Sequence, residues 1–120
     1  MKKYILTLVL TIALLPSMAQ KGLVRKGDYH FKMMAYPKAI PYYTKALKKD
    51  STLQEATFKL ADCYRLTNNR QMAEIWYAKA VKMSTVLPIY KFYYGQALMN
   101  NGKLKKKKKW MTDFVLDNKT

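Results

Sequence analysis

Few residues in this sequence could carry out covalent or metal chemistry. There is one cysteine, Cys63, one histidine, His30, and only seven acidic side chains. A catalytic thiol needs an activating neighbour, and a zinc site needs several Cys, His or carboxylate ligands together. The sequence groups no such set, and it has no nucleophile elbow and no glycine-rich phosphate loop. We therefore expect no enzyme activity, no catalytic residues, no metal and no cofactor.

The isolated cysteine and histidine have simpler interpretations. Cys63 is expected to be a small buried hydrophobic residue, with a reactive exported thiol as the alternative. His30 stands where an aromatic residue would pack in a helix, which favours a packing or interfacial role.

The chain is strongly basic, with a formal net charge of +16, and 50% of its residues are hydrophobic. That hydrophobic content argues against a disordered chain, because disorder combines high charge with low hydrophobicity. The length predicts one small domain. Part of the charge lies in a run near the C-terminus that forms a candidate patch for anionic surfaces: Lys103, Lys105, Lys106, Lys107, Lys108 and Lys109.

The N-terminus has the pattern of a secretory signal. Lys2 and Lys3 precede an apolar run over 5–15, and Ser17-Met18-Ala19 supplies small residues for a signal peptidase. We expect residues 1–19 to be cleaved as a signal peptide; an uncleaved anchor is the alternative, although the run is shorter than the roughly 20 residues that span a bilayer. An exported protein rarely meets nucleic acid, so no nucleic-acid partner is expected.

The sequence repeats itself. Ala39–Leu47 and Ala73–Val81 align without gaps, and each has alanine, then tyrosine four positions later, then alanine three further on. Small residues recur with the same offset at Gly27, Ala61 and Gly95. A period of about 34 residues with these small and aromatic positions is typical of tetratricopeptide repeats (TPRs), which are stacked helical hairpins.

We therefore predict an all-α fold, a tetratricopeptide-repeat helical-hairpin solenoid of about three repeats. Helices are expected near 22–34, 37–49, 54–67, 70–83, 88–100 and 103–116. Pro37 and Pro88 suit first helical turns. Ser51 with Gln54, and Thr52 with Glu55, read as capping boxes; Asn68-Asn69 and Asn101-Gly102 suit left-handed helix ends. The TPR domain is expected over 20–116, with repeats at 20–53, 54–87 and 88–116 and a tail at 117–120. The third repeat is degenerate, because lysine replaces a small residue at position 107.

The first helix of each hairpin lines the concave surface of a TPR array. Counting from the small residues predicts a partner-binding groove of mixed aromatic and charged side chains, with its aromatics belonging partly to the core as the alternative. The groove residues are Asp28, Phe31, Lys32, Phe58, Asp62, Arg65, Phe92, Gln96 and Met99. The basic carboxylate clamp of chaperone-binding TPRs is not matched, since Val24 and Asp28 stand where Lys and Asn are needed.

Three stretches, Ala39–Leu47, Lys59–Asn69 and Tyr93–Lys103, resemble the N-terminal TPR region of OmpA-family envelope proteins, such as the PorE type of the type IX secretion system. The resemblance implies a scaffold in the periplasm or at the periplasmic face of the outer membrane, with an envelope protein or peptide segment as partner. Those proteins also carry a propeller-like segment and a peptidoglycan-binding domain, which this sequence lacks, so we do not expect peptidoglycan anchoring. An alternative function is docking of the lysine run on anionic lipid or polysaccharide; a solvated tail is the simpler interpretation of that run.

Overall fold

A computed structural model describes residues 18–83, 85–103 and 111–117 of the chain. Within these ranges the chain forms six helices and no strand. The helices are α1 (18–32), α2 (Tyr36–Lys49), α3 (Gln54–Leu66), α4 (Arg70–Ala80), α5 (Pro88–Asn100) and α6 (111–117). Each helix coincides with one that the sequence predicts. However, α1 already includes residue 18, and α4 ends earlier than predicted, at Ala80.

Periodic burial explains the helices. In α2 the buried residues Ala39, Tyr43, Ala46 and Leu47 recur at helical spacing and form one apolar face. Pro37 lies in the first turn of α2, where its missing N–H costs nothing. Pro41 lies inside the same helix, which nevertheless continues to Lys49 with Pro41 on the exposed side.

The first helix of each hairpin ends in the same way. Met34, Asn68 and Gly102 have φ values of 57°, 61° and 77°, and each lies one repeat period after the previous one. Each is followed by a residue whose N–H reaches back to a carbonyl five positions earlier, as Asn69 does to Tyr64 at 2.8 Å. The left-handed ends predicted near Asn68 and Gly102 are confirmed. Met34 was not predicted, because methionine rarely adopts this conformation.

The predicted capping boxes before α3 are wrong. The N-cap residue is Leu53, and no side chain caps this helix. Asp50 instead accepts hydrogen bonds from the Thr52 N–H and hydroxyl, which closes a local turn after α2. This turn uses Thr52 and holds it outside the helix, so its hydroxyl is not available to α3.

The helices pack in chain order as antiparallel hairpins around two apolar clusters. One cluster joins the first and second hairpins through Ala39, Tyr43, Leu60 and Cys63, with Trp76 packed against it. The other joins the second and third through Ala61, Ala73, Tyr77 and Ala97. A stack of hairpins that each bury a face only against a neighbour is the architecture of repeat proteins.

The small residues of the period are contact points. A Cβ atom added to Gly27 would lie 2.7 Å from Cε1 of Tyr43, so only glycine permits this approach of α1 to α2. A Cβ added to Gly95 would lie 3.1 Å from Cγ of Met111. Met111 stands two repeat periods after Tyr43, so α6 packs on α5 in the register of the other hairpins.

Some sequence predictions lie outside the described residues. These are the signal segment over 1–17, the lysines at 105–109 and the final residues 118–120. No helix within the described ranges has the length and apolarity needed to cross a membrane. The domain boundaries remain predictions.

Candidate functional site

A tyrosine–aspartate hydrogen bond joins the two helices of the first hairpin and recurs in the second. The Tyr43 hydroxyl donates to Oδ1 of Asp28 at 2.6 Å. The Tyr77 hydroxyl donates to Oδ1 of Asp62, with the same sequence separation as in the first pair. Burial and the adjacent carboxylate raise the pKa of both tyrosine hydroxyls far above the usual value, so they remain protonated donors.

Arg65 extends this bond in the second hairpin. Its Nε donates to the Tyr77 hydroxyl at 2.9 Å, and one terminal nitrogen lies 3.5 Å from Oδ1 of Asp62. Its guanidinium carbon lies 4.2 Å from the centre of the Tyr93 ring, which belongs to the next hairpin. The guanidinium is therefore fixed by a hydrogen bond, an ion pair and a cation–π contact while its side chain stays half-buried.

Burial and neighbouring contacts both shift the pKa values of Asp62 and Arg65. Burial raises the pKa of Asp62 above its usual value, although the hydrogen bond from Tyr77 and the charge of Arg65 oppose that shift. Burial alone would lower the pKa of Arg65, but its contacts with Tyr77 and Asp62 outweigh burial and raise it. The arginine thus carries a positive charge that is held in one place.

Lys59 makes a related contact between the first two hairpins. Its Nζ lies 2.8 Å from Oδ1 of Asp28 and 2.8 Å from Oε1 of Glu55. It also lies 6.0 Å from the centre of the Phe31 ring. Burial opposes the charge of Lys59, but the bonds to both carboxylates outweigh it and raise the lysine pKa.

The predicted groove aromatics contribute mainly to packing, between hairpins at Phe58 and within one hairpin at Phe31 and Phe92. Phe58 is only 7% exposed, and its ring stacks on Tyr90 at a centroid distance of 4.0 Å. Phe31 contacts Tyr36 and Tyr43, and Phe92 contacts Tyr93 and Phe114; both remain half-buried. The alternative that these rings belong partly to the core therefore describes Phe58 best.

The other predicted groove residues differ in accessibility. Asp62 is only 9% exposed and is bonded to Tyr77, whereas Lys32 and Met99 are exposed and Gln96 is half-buried. In the third hairpin Gln96 and Met111 occupy the positions that Asp28 and Tyr43 hold in the first, so the tyrosine–aspartate bond is not repeated there. A partner-binding role for the groove remains a prediction.

A small cavity of about 50 Å³ lies beside Arg65, between the end of α3, the start of α4 and α5. We call it the Arg65 niche. Most of its lining side chains carry hydrogen-bond donors, and no carboxylate lines it among the described residues. The lining residues are Arg65, Asn68, Arg70, Ala73, Tyr77, Tyr93, Gln96, Ala97 and Asn100. Sequence reasoning missed this niche, because Asn68, Arg70 and Asn100 lie at helix ends outside the periodic groove positions.

The predicted lysine patch is described only at Lys103, whose ammonium pairs with Glu74 on α4. In the described ranges, no group of three or more His, Cys, Asp and Glu side chains could hold a metal ion. His30 stacks on Tyr42 with ring centres 5.4 Å apart, which confirms a packing role.

Cys63 is fully buried, as predicted for a small hydrophobic residue. Burial, together with the charge of Asp62, raises the pKa of its thiol to about 12. The alternative of a reactive thiol is therefore disfavoured in the folded protein.

Comparison with known proteins supports the fold. No protein-family model and no curated protein matches the sequence. Among solved structures, the first TPR of Spaghetti (RPAP3) bound to the HSP90 peptide SRMEEVD is similar, with a TM-score of 0.72 and 25% identity over 82% of this chain and 79% of that one. The type III secretion chaperone SycD of Yersinia enterocolitica, in complex with a peptide of the translocator YopD, has a TM-score of 0.68 and 15% identity, covering 77% and 70% of the two chains.

These likenesses confirm the predicted fold class, whereas the resemblance to OmpA-family envelope proteins remains a prediction. The chain is an all-α, tetratricopeptide-repeat-type solenoid of helical hairpins.

Proposed function

We propose that this chain is an exported, non-enzymatic scaffold that binds a peptide segment of a cell-envelope protein on the face formed by α1, α3 and α5. Two observations on similar proteins support a peptide partner: the Spaghetti domain holds an HSP90 peptide, and SycD holds a peptide of YopD. The fold supplies the same kind of stacked hairpins here.

The single observation that carries the proposal is the bracing of Arg65. A charged side chain that is already ordered loses little conformational entropy when it meets a ligand. Arg65 is half-buried, and contacts from two hairpins hold its guanidinium at the edge of the niche. Such a group can orient a peptide without being reorganised.

Apolar and cationic side chains accompany Arg65 on the same face. Met99 is 39% exposed near the end of α5, and Lys32 is exposed at the end of α1. Unbranched methionine adapts to varied apolar side chains, while lysine supplies charge attraction. This combination suits a peptide that is partly apolar and partly acidic.

Placement in the envelope rests on the sequence. The signal-like pattern over residues 1–19 supports export. The resemblance to the OmpA-family TPR region supports a role at the outer membrane, for example in the assembly of a secretion system. N-terminal sequencing of the mature protein tests the export step: a start at Gln20 is expected, and a retained Met1 in membranes would contradict it.

The proposed function is tested by cross-linked capture from an envelope extract with the purified chain at low and moderate salt. Met99→Glu should lose the captured protein, because it places a charge in the groove that binding would bury. Ile75→Glu is the matched control. Ile75 is 47% exposed and lies on α4, the second helix of its hairpin, which is not part of the proposed binding face.

Retention of the same few proteins at both salts, with loss only in Met99→Glu, supports groove binding. Capture of anionic lipid or polysaccharide alone, with release by salt, would contradict the scaffold and favour the lysine run, since exposed charge interactions are screened by salt.

A further inference from the structure

The Arg65 niche lies beside the apolar groove contacts and shares Arg65 and Gln96 with the predicted groove. We infer, building on the proposed function, that the niche binds a single carboxylate group, an aspartate or glutamate side chain of the bound peptide. The chemistry of the lining, its state of hydrogen bonding and its size each support this assignment.

Donors dominate the lining. Arg65 and Arg70 supply guanidinium groups, and Asn68, Gln96 and Asn100 supply side-chain amides. Arginine binds carboxylates through paired N–H donors, and hydrogen bonds between ions are shorter and stronger than neutral ones. Arg70 adds a positive charge beyond the Arg65–Asp62 ion pair, and no carboxylate among the described residues lines the niche, so the niche suits an anion.

Most of these donors are not used elsewhere in the described part of the chain. Arg65 directs Nε to Tyr77 and one terminal nitrogen toward Asp62, and its other terminal nitrogen makes no hydrogen bond or ion pair there. The side chains of Arg70, Gln96 and Asn100 likewise make no hydrogen bond or ion pair with a described residue. A ligand could therefore bind without breaking an existing contact.

The nearest acidic groups are already bonded. Asp62 accepts from Tyr77, and Glu74 accepts from Asn101 at 2.7 Å and pairs with Lys103. The Asn101 amide also donates to the Arg70 carbonyl at 3.0 Å, which ties the start of α4 to the end of α5. The walls of the niche are thus held together, and the neighbouring carboxylates are committed to other partners.

The volume of the niche and the electrostatic field of the adjoining helix end both suit the binding of one carboxylate. A volume of about 50 Å³ is large enough for one small polar group such as a carboxylate. Arg70 is also the first residue of α4, so the positive end of that helix adjoins the niche. A carboxylate would enter while the peptide backbone remained outside.

The test uses amide NMR spectra of the full chain titrated with N-acetyl-glutamate amide and with the uncharged N-acetyl-glutamine amide. The glutamate probe should produce saturable shifts of the Gln96 and Asn100 side-chain amides, and the glutamine probe should not. Arg70→Gln should weaken binding of the glutamate probe roughly tenfold, since a charge-assisted hydrogen bond is lost. Arg25→Gln is the control, because Arg25 is an exposed arginine on α1 that does not line the niche.

Several results would overturn the inference. These are equal shifts with both probes, no saturable shift at all, equal weakening by Arg25→Gln, or tighter binding of inorganic phosphate than of the glutamate probe. The proposed function is judged separately: an envelope protein that is captured equally well by wild type and Arg70→Gln would retain the scaffold and remove the niche from it.

Discussion

The Tyr43 hydroxyl donates a 2.6 Å hydrogen bond to the Asp28 carboxylate and so links α1 to α2 across the first hairpin. The same bond links α3 to α4 one period later, between Tyr77 and Asp62. Both tyrosines are fully buried, and no other described donor to either aspartate is as buried. The pair therefore sets the separation of the two helices as well as satisfying two polar groups.

Removal of either hydroxyl should destabilise the fold. Tyr43→Phe and Tyr77→Phe should each lower the free energy of unfolding by about 1–3 kcal/mol, because each aspartate loses its most buried hydrogen-bond donor. Tyr77→Phe should be the more costly, since the Asp62 carboxylate is more buried than that of Asp28. Urea denaturation measures the loss. Tyr29→Phe is the control, because Tyr29 is 63% exposed, and a loss of equal size there would contradict the explanation.

Two glycines of α1 should respond to alanine with opposite signs. Gly27→Ala should destabilise the protein by about 1–3 kcal/mol, because the new methyl would overlap the Tyr43 ring. Gly22→Ala should stabilise it by about 0.5–1 kcal/mol, since nothing lies within 4 Å and alanine favours the helix. Thermal denaturation of both variants checks this, and stabilisation by both substitutions would show that the α1–α2 contact is looser than described.

Cys63 should react only when the protein unfolds. Its thiol is buried and its pKa is raised to about 12, so the thiolate fraction at pH 8 is very small. A thiol reagent at pH 8 should label the native chain more slowly than the urea-unfolded chain, by about a hundredfold or more. Rapid labelling without denaturant would restore the alternative of a reactive exported thiol.

The stability contributed by Asp62 should depend on pH. Burial raises its pKa in the folded state, so the folded protein holds that proton more tightly than the unfolded chain does. Ionisation of Asp62 therefore opposes folding as the pH rises above the unfolded value of about 4, and the penalty is complete above the folded pKa.

The variant Asp62→Asn removes this titration while its amide oxygen can still accept from Tyr77. Its free energy of unfolding, relative to that of wild type, should increase between about pH 4 and pH 7. Denaturant titrations at both pH values provide the measurement. A relative stability that fell over this range would mean that the charge of Arg65 outweighs burial.

The repeat period was sufficient to predict the hairpins, because the spacing of small residues determines which helix faces can approach. Gly27, Ala61 and Tyr77 all lie where the repeat predicts. The start of α3 at Gln54 was also predicted, but its capping was not, because Ser51 and Thr52 suit a turn as well as a helix N-terminus. The hydrogen bonds that Thr52 donates to Asp50 place it in the turn instead.

The candidate site was harder to predict from the sequence than the helical hairpins were. Asp62 and Arg65 were predicted as groove residues from their positions, but their bonds to Tyr77 depend on how α3 packs against α4. A signal for these bonds did exist: aspartate and tyrosine recur together, with the same spacing, in two successive periods. Arg70 and Asn100 had no comparable signal, since neither has the same residue type one period away.

The third hairpin lacks the tyrosine–aspartate bond, with Gln96 and Met111 at the two positions. In its described part, α6 is held instead by the Met111 thioether on Gly95, the Phe92–Phe114 ring contact and a 2.6 Å ion pair between Lys91 and Asp117. In a linear array each unit is stabilised mainly by its neighbour, so opening begins where the coupling is weakest. We therefore expect amide exchange to be faster in the described part of α6 than in the first two hairpins.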